Sequence, residues 1–135
     1  MVGFLLLKRR VHVKEKEISE VLQDFLNYID QCKIEHEAAE DKVRREDRRL
    51  QDLLHELEFA ENREKRNKVA TKFQQSRKER RRQKDELMRR QLIVDFFNEP
   101  QNKKVLNNLR QLLGRQRTQE EFLSGKREYK PRVKE

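Results

Sequence analysis

The feature that most constrains this chain is a 4-3 alternation of apolar residues starting at Ile18. It runs Ile18, Leu22, Phe25, Ile29, Cys32, His36, Ala39, Val43, Glu46, Leu50, Leu53, Leu57 and Ala60. Such a spacing puts one apolar seam along a helix, with Ile18 at d and Leu22 at a of a heptad. His36 and Glu46 are its polar members. Carried on in phase, the seam would meet Glu64, Asn67, Thr71, Gln74, Lys78 and Arg81, all polar. A second track begins two residues out of step: Arg66, Val69, Phe73, Ser76, Arg80, Gln83, Leu87, Arg90, Val94 and Phe97. A slip of that size is neither a stammer nor a stutter. It implies a helix break, placed at Glu61 to Lys65.

Folding the chain back there sets Leu57 against Val69, Leu53 against Phe73, Val43 against Gln83, Ala39 against Leu87, Cys32 against Val94 and Ile29 against Phe97. Glu46 then falls opposite Arg80. In an antiparallel pair, e faces e and g faces g. The flanking pairs become Asp47 with Arg77, Glu40 with Lys84, Lys42 with Glu86, Arg49 with Glu79, and Glu56 with Lys72, all of opposite sign. Exposed pairs contribute about 0–1 kcal/mol each, so their value lies in choosing register. A parallel homodimer would instead set Glu35 against Glu40, or Lys72 against Arg77.

The first helix outruns the second, leaving Ile18, Val21, Leu22, Phe25 and Leu26 for a third helix to cover. Pro100 suits the first turn of that helix, and Val105, Leu106, Leu109, Leu112 and Leu113 make its stripe. Gly114 reads as its stop, and Thr118-Gln119-Glu120-Glu121 as the capping box of a fourth helix ended by Gly125. The expected fold is all-α: a long antiparallel coiled-coil hairpin with short third and fourth helices forming a small helical head. The expected segments are an N-terminal arm (1–17), the hairpin (18–98), C-terminal helices on the hairpin base (99–125) and a basic tail (126–135).

Composition supports this. Among 135 residues, 44% are charged and only three are Gly and two Pro, too few turn formers for a β-sandwich. One cysteine, Cys32, forbids an internal disulfide and a multi-thiolate metal site, and a reducing cytoplasm is the expected home. The run Val2-Gly3-Phe4-Leu5-Leu6-Leu7 is too short to span a membrane, and Lys8, Arg9 and Arg10 follow it rather than precede it. It reads as a short strand or an apolar arm.

No P-loop, GxGxxG, HExxH, GxSxG or CxxC pattern occurs, and His12, His36 and His55 lie far apart. No catalytic residue, metal ligand or cofactor is expected, and the function is expected to be non-enzymatic binding. The net charge of +9 points to an anionic partner. On the outward positions at mid-stalk stand Arg44, Arg45 and Arg48 of the first helix, with Lys78, Arg81, Arg82 and Arg89 of the second. These seven are the candidate nucleic-acid contacts. They would reach phosphates, with little sequence preference, since the stalk interleaves no aromatics among them. Solvated charge held by Asp41 and Asp85 is the competing reading. The acidic strip Glu35, Glu37, Glu40, Asp41 and Asp47 is a second candidate surface, for an Arg-rich partner helix. The basic tail carries Tyr129, a ring that can stack on a base.

The segment Arg77-Lys78-Glu79-Arg80-Arg81-Arg82-Gln83-Lys84-Asp85-Glu86-Leu87, followed by Leu109-Arg110-Gln111-Leu112-Leu113-Gly114-Arg115, is similar to small coiled-coil proteins of phages and prophages of Gram-positive bacteria. Phage proteins of this size and make-up include anti-CRISPR inhibitors, which bind a Cas effector or its guide RNA. The resemblance implies an inhibitory role in a bacterial host, with RNA ahead of DNA as the nucleic acid. It carries no residue roles across. The alternative is a protein–protein adaptor acting through homodimerisation or docking of the third helix by Val105, Leu109 and Leu112.

Overall fold

The structure, a computed structural model, describes residues 15–133. The N-terminal run Val2–Leu7 lies outside the described residues. The described chain is all-helical: α1 (Ile18–Glu58), α2 (Arg63–Asn98) and α3 (Pro100–Ser124), with no strand among the described residues. It divides into two compact units. One joins residues 15–26 to 104–133, and the other is Asn27–Lys103.

In Asn27–Lys103, α1 and α2 are antiparallel neighbours. Glu35 meets Arg90, His36 meets Gln91, Asp47 meets Arg80 and Glu56 meets Lys72, so numbers fall on one helix as they rise on the other. The buried set on α1 is Ile29, Cys32, Ala39, Val43, Glu46 and Leu53; on α2 it is Val69, Ser76, Gln83 and Val94. These are members of the two sequence tracks. Small or polar residues at four of these places keep the core thin: Ala39, Glu46, Ser76 and Gln83.

The turn between the helices lies earlier than the expected break at Glu61 to Lys65. Helix α1 ends at Glu58, where Phe59 N–H still reaches His55 O and Ala60 N–H reaches Leu57 O. Asn62 is extended (φ −144°, ψ 171°), and its side-chain oxygen accepts from Lys65 N–H at 2.8 Å. That N-cap satisfies an amide the first turn leaves without a partner, and so starts α2 at Arg63. Leu57, in the last turn of α1, is consequently exposed. At the other end Glu99 adopts ψ 135°, as a residue before proline favours, and Pro100 opens α3. Asn102 Nδ2 secures this corner by donating to Phe96 O at 2.8 Å.

In the unit of residues 15–26 and 104–133, α1 and α3 also run antiparallel. Ser19 N–H donates to Glu120 Oε1 at 3.2 Å, and Arg117 Nη2 donates to Gln23 Oε1 at 2.8 Å. Ser19, Leu26, Leu106 and Leu113 are buried here.

Two expectations are corrected in this unit. The separate third and fourth helices are one helix. Gly114 sits within α3 without positive φ, and Thr118 Oγ1 donates to Gly114 O at 3.1 Å instead of capping a new helix. One glycine inside a helix costs about 1 kcal/mol, less than the apolar stripe on both sides of it returns. The cover expected over α1 is partial as well. Leu26 is buried and Leu22 half-buried, but Ile18, Val21 and Phe25 stay exposed. The side of α1 that α3 covers is centred on Ser19 and Leu26, one residue on from the heptad track.

Candidate nucleic-acid interface

The seven expected cations all lie in Asn27–Lys103, on exposed positions. They are spread around the α1–α2 pair. Arg48 stands two residues past buried Glu46, and Lys78 two past buried Ser76, which puts each on the outer back of its own helix. Three of the seven are held by carboxylates on their own helix. Arg44 bonds Glu40 at 2.7 Å and Asp41 at 3.1 Å. Arg82 bonds both oxygens of Glu79, at 2.7 and 3.0 Å. Arg89 lies 3.9 Å from Glu86. The other four, Arg45, Arg48, Lys78 and Arg81, form no ion pair with any described residue.

Two further cations join them that sequence reasoning had assigned elsewhere. Asp47 and Glu40 were expected to take Arg77 and Lys84. Instead Asp47 accepts from Arg80 Nε at 2.6 Å, and Glu40 accepts from Arg44. Of the expected cross-helix ion pairs, Glu56 with Lys72 forms, at 3.2 Å. Glu79 and Glu86 turn to Arg82 and Arg90, and Arg49 lies 4.0 Å from Glu46. Arg77 and Lys84 are therefore exposed and without an ion pair among the described residues. With Arg81 they recur at steps of four and three, which aligns them along one face of α2 over about 10 Å, with Lys78 beside them. The signal for this was present: Glu40 lies four residues before Arg44, and such a pair forms without aligning two helices. On α1, Arg45 and Arg48 line a shallow surface groove with Arg49, Gln51 and Asp52.

The carboxylates nearby are largely neutralised. Arg90 joins the helices, donating from Nε to Glu35 at 2.8 Å and from Nη1 to Glu86 at 2.7 Å. These guanidinium bonds lower the pKa of Glu86, and Gln31 together with Arg90 lowers that of Glu35. His36, expected near Arg90, donates from Nε2 to Gln91 Oε1 at 2.7 Å. Of the acidic strip, Glu35, Glu40, Asp41 and Asp47 are thus engaged within the chain, and Glu37 remains without an ion pair among the described residues. Little of it is left for an Arg-rich partner.

Glu79 offers a direct check on this geometry. The Arg82 guanidinium, then the Gln83 amide, hold its carboxyl down to about 2. A depressed acid adds stability that is present above its unfolded pKa and is lost as pH falls through the folded one. For Glu79 that loss falls between roughly pH 4.5 and 2. Carboxyl-detected NMR should place its midpoint near 2, and Arg82→Ala should return it toward the usual carboxylate range; an unchanged midpoint would refute the bond.

Aromatic surface is present at one end of the pair. Phe59 in the turn is 74% exposed and lines a groove with Ala60, Val69, Lys65, Lys68 and Lys72. Phe59 stands apart from the mid-stalk cations, and no aromatic falls within 44–48 or 77–89. In the other unit, Val105 and Leu112 are exposed and Leu109 is half-buried. There the tail's Tyr129 is exposed, and Arg127 lies over the Phe122 ring at 5.7 Å.

Among the described residues no cluster of His, Cys, Asp and Glu suits a metal ion, and no helix is long and apolar enough to cross a membrane. Compared with family models, with curated proteins and with solved structures, the chain matches none.

Proposed function

We propose that this protein acts by binding, with α1 and α2 working as an antiparallel coiled-coil hairpin that engages nucleic acid or a ribonucleoprotein effector. A phage-borne inhibitor of anti-CRISPR type is one form of such a protein, and RNA is the preferred nucleic acid on the same resemblance. The observation that carries this reading is the set of exposed cations left without carboxylate partners: Arg77, Lys78, Arg81 and Lys84 on α2, Arg45 and Arg48 on α1. Cations already paired internally contribute little to a polyanion's field. Unpaired ones release condensed counterions when they meet phosphates. Contacts of this kind position a backbone and read no sequence.

The test is a gel shift with single- and double-stranded RNA and DNA over a salt series. Affinity should fall linearly on a log–log plot. The triple variant Arg77→Glu/Arg81→Glu/Lys84→Glu should bind at least about tenfold more weakly, with a salt slope smaller by roughly two to three. Its helicity should be unchanged, because all three side chains are exposed. Arg82→Glu alone should do less, since Arg82 is occupied by Glu79. No binding at low salt, or a flat salt response, overturns the reading and leaves the cations as a solvated face.

A further inference from the structure

Phe59 is the most exposed aromatic residue of Asn27–Lys103, at 74%. It stands in the turn after α1, where its N–H donates to His55 O at 3.2 Å and the Asn62 cap fixes the start of α2. A lone apolar side chain on a surface is ordinary. This one lines a groove with Ala60 and Val69, and Lys65, Lys68 and Lys72 line the same groove. The three lysines recur at steps of three and four, which keeps them on one side of α2 over about 10 Å. Lys65 lies in the first turn of α2, where the positive end of the helix dipole favours an anion.

The groove thus joins a bare π-face to three ammonium groups. Lys72 bonds Glu56, a further residue of the groove wall, at 3.2 Å. Lys65 and Lys68 lie 3.5 and 4.0 Å from Glu61 and Glu64, which do not line the groove. Exposed pairs of this kind contribute about 0–1 kcal/mol, so a phosphate oxygen can replace a carboxylate at small cost. By the same reckoning the exchange gains little net attraction. The ring must supply the affinity, while the lysines select a ligand that carries an anion beside a flat ring. A nucleotide has that chemistry.

We infer that this turn is a stacking site for an unpaired base of single-stranded nucleic acid, with Lys65 and Lys68 against the adjoining phosphates. The site rests on the nucleic-acid reading proposed above and adds to it a preference for single strands. In a duplex each base is covered on both faces by its neighbours, and reaching the ring requires unstacking at a cost of a few kcal/mol. Stacking on an aromatic side chain tolerates every base, so the turn reads strandedness and not sequence.

The chain contains no Trp, so Phe59→Trp places one indole in the turn as a reporter. Poly(U) should quench its emission, and the poly(A)·poly(U) duplex should not. Phe96→Trp, 53% exposed at the opposite end of α2, is the control and should keep its emission. In parallel, Phe59→Ala should bind poly(U) at least about fivefold more weakly and the duplex equally well. Its salt slope should match that of the parent chain, unlike that of the triple cation variant, because no ionic contact is removed. Circular dichroism should report parent helicity for all of these, since both positions are exposed. Binding of poly(U) without quenching, or with equal quenching at positions 59 and 96, overturns the stacking site and leaves the mid-stalk reading standing. Failure to bind either polymer at low salt overturns both. Stronger quenching by an acidic aromatic peptide than by poly(U) overturns the site by assigning the groove to a protein.

Discussion

Replacing Leu53 by lysine is expected to unfold the protein at much lower urea than the parent chain, while the same change at Leu54 leaves the midpoint nearly in place. The two residues are adjacent on α1 and chemically identical, but Leu53 is 3% exposed and Leu54 45%. Truncating a buried leucine costs about 2–5 kcal/mol, and an ammonium placed there adds a desolvation penalty unless its stem can reach water. Against a typical total of about 5–15 kcal/mol, a loss of that size moves the midpoint a long way. At Leu54 the expected change is within about 0.5–1 kcal/mol. Phe73→Lys should fall between the two, because Phe73 is half-buried, although its place on the sequence track alone makes it equal to Leu53. Urea denaturation followed by far-ultraviolet circular dichroism measures all three. Equal losses at Leu53 and Leu54 would mean that α1 does not present the seam described.

That seam was legible from spacing because a side chain's direction on a helix depends on its position modulo a short repeat. Ile29, Cys32, Ala39, Val43, Glu46 and Leu53 fall on the 4-3 track and are all buried. The same rule misplaces the N-terminal end, where Ile18 and Phe25 are exposed and Ser19 and Leu26 are buried. There the neighbour is α3 rather than α2, and an apolar repeat on one helix does not say from which side a second partner arrives. Gly114 was misread for a related reason: a glycine's helix penalty is local and small, whereas Leu106 and Leu113 on either side of it are anchored by contacts far along the chain. Asn62 was a cap visible in composition but hidden among charged neighbours.

The candidate binding surface was legible in part, and the part that was missed follows from how ion pairs compete. Matching signs across two helices suggested Asp47 with Arg77 and Glu40 with Lys84. Exposed pairs are worth so little that small geometric differences decide among partners. Glu40 has Arg44 four residues along its own helix, and Arg80, emerging from the seam, reaches Asp47 before Arg77 does. Each substitution of partner releases a cation on α2. The stripe of Arg77, Arg81 and Lys84 is thus a by-product of pairing preferences that a residue-by-residue list of charges does not contain.

The polar layer at the middle of the seam yields the other large effect. Glu46 is 8% exposed, and its Oε2 accepts from the Ser76 hydroxyl at 2.5 Å across the two helices. Arg49 is its nearest cation, at 4.0 Å. A buried carboxylate held by one hydroxyl and a distant guanidinium recovers only part of what leaving water costs it. Ser76→Ala removes the donor and leaves the acid, so it should destabilise by about 1–3 kcal/mol. Glu46→Leu combined with Ser76→Ala removes both polar partners and should exceed the parent in stability, by up to about 4 kcal/mol. The two expectations have opposite signs although one substitution is common to both. A simple packing role for Ser76 predicts losses in both variants; a structural ion site predicts the reversal. Urea midpoints of the parent, both single variants and the double variant separate these cases, through a coupling of at least about 1 kcal/mol between positions 46 and 76. The apolar double variant should also lose some of its preference for one alignment of α1 on α2, because Leu at position 46 packs equally well one heptad away, whereas Glu46 finds its hydroxyl at Ser76 alone.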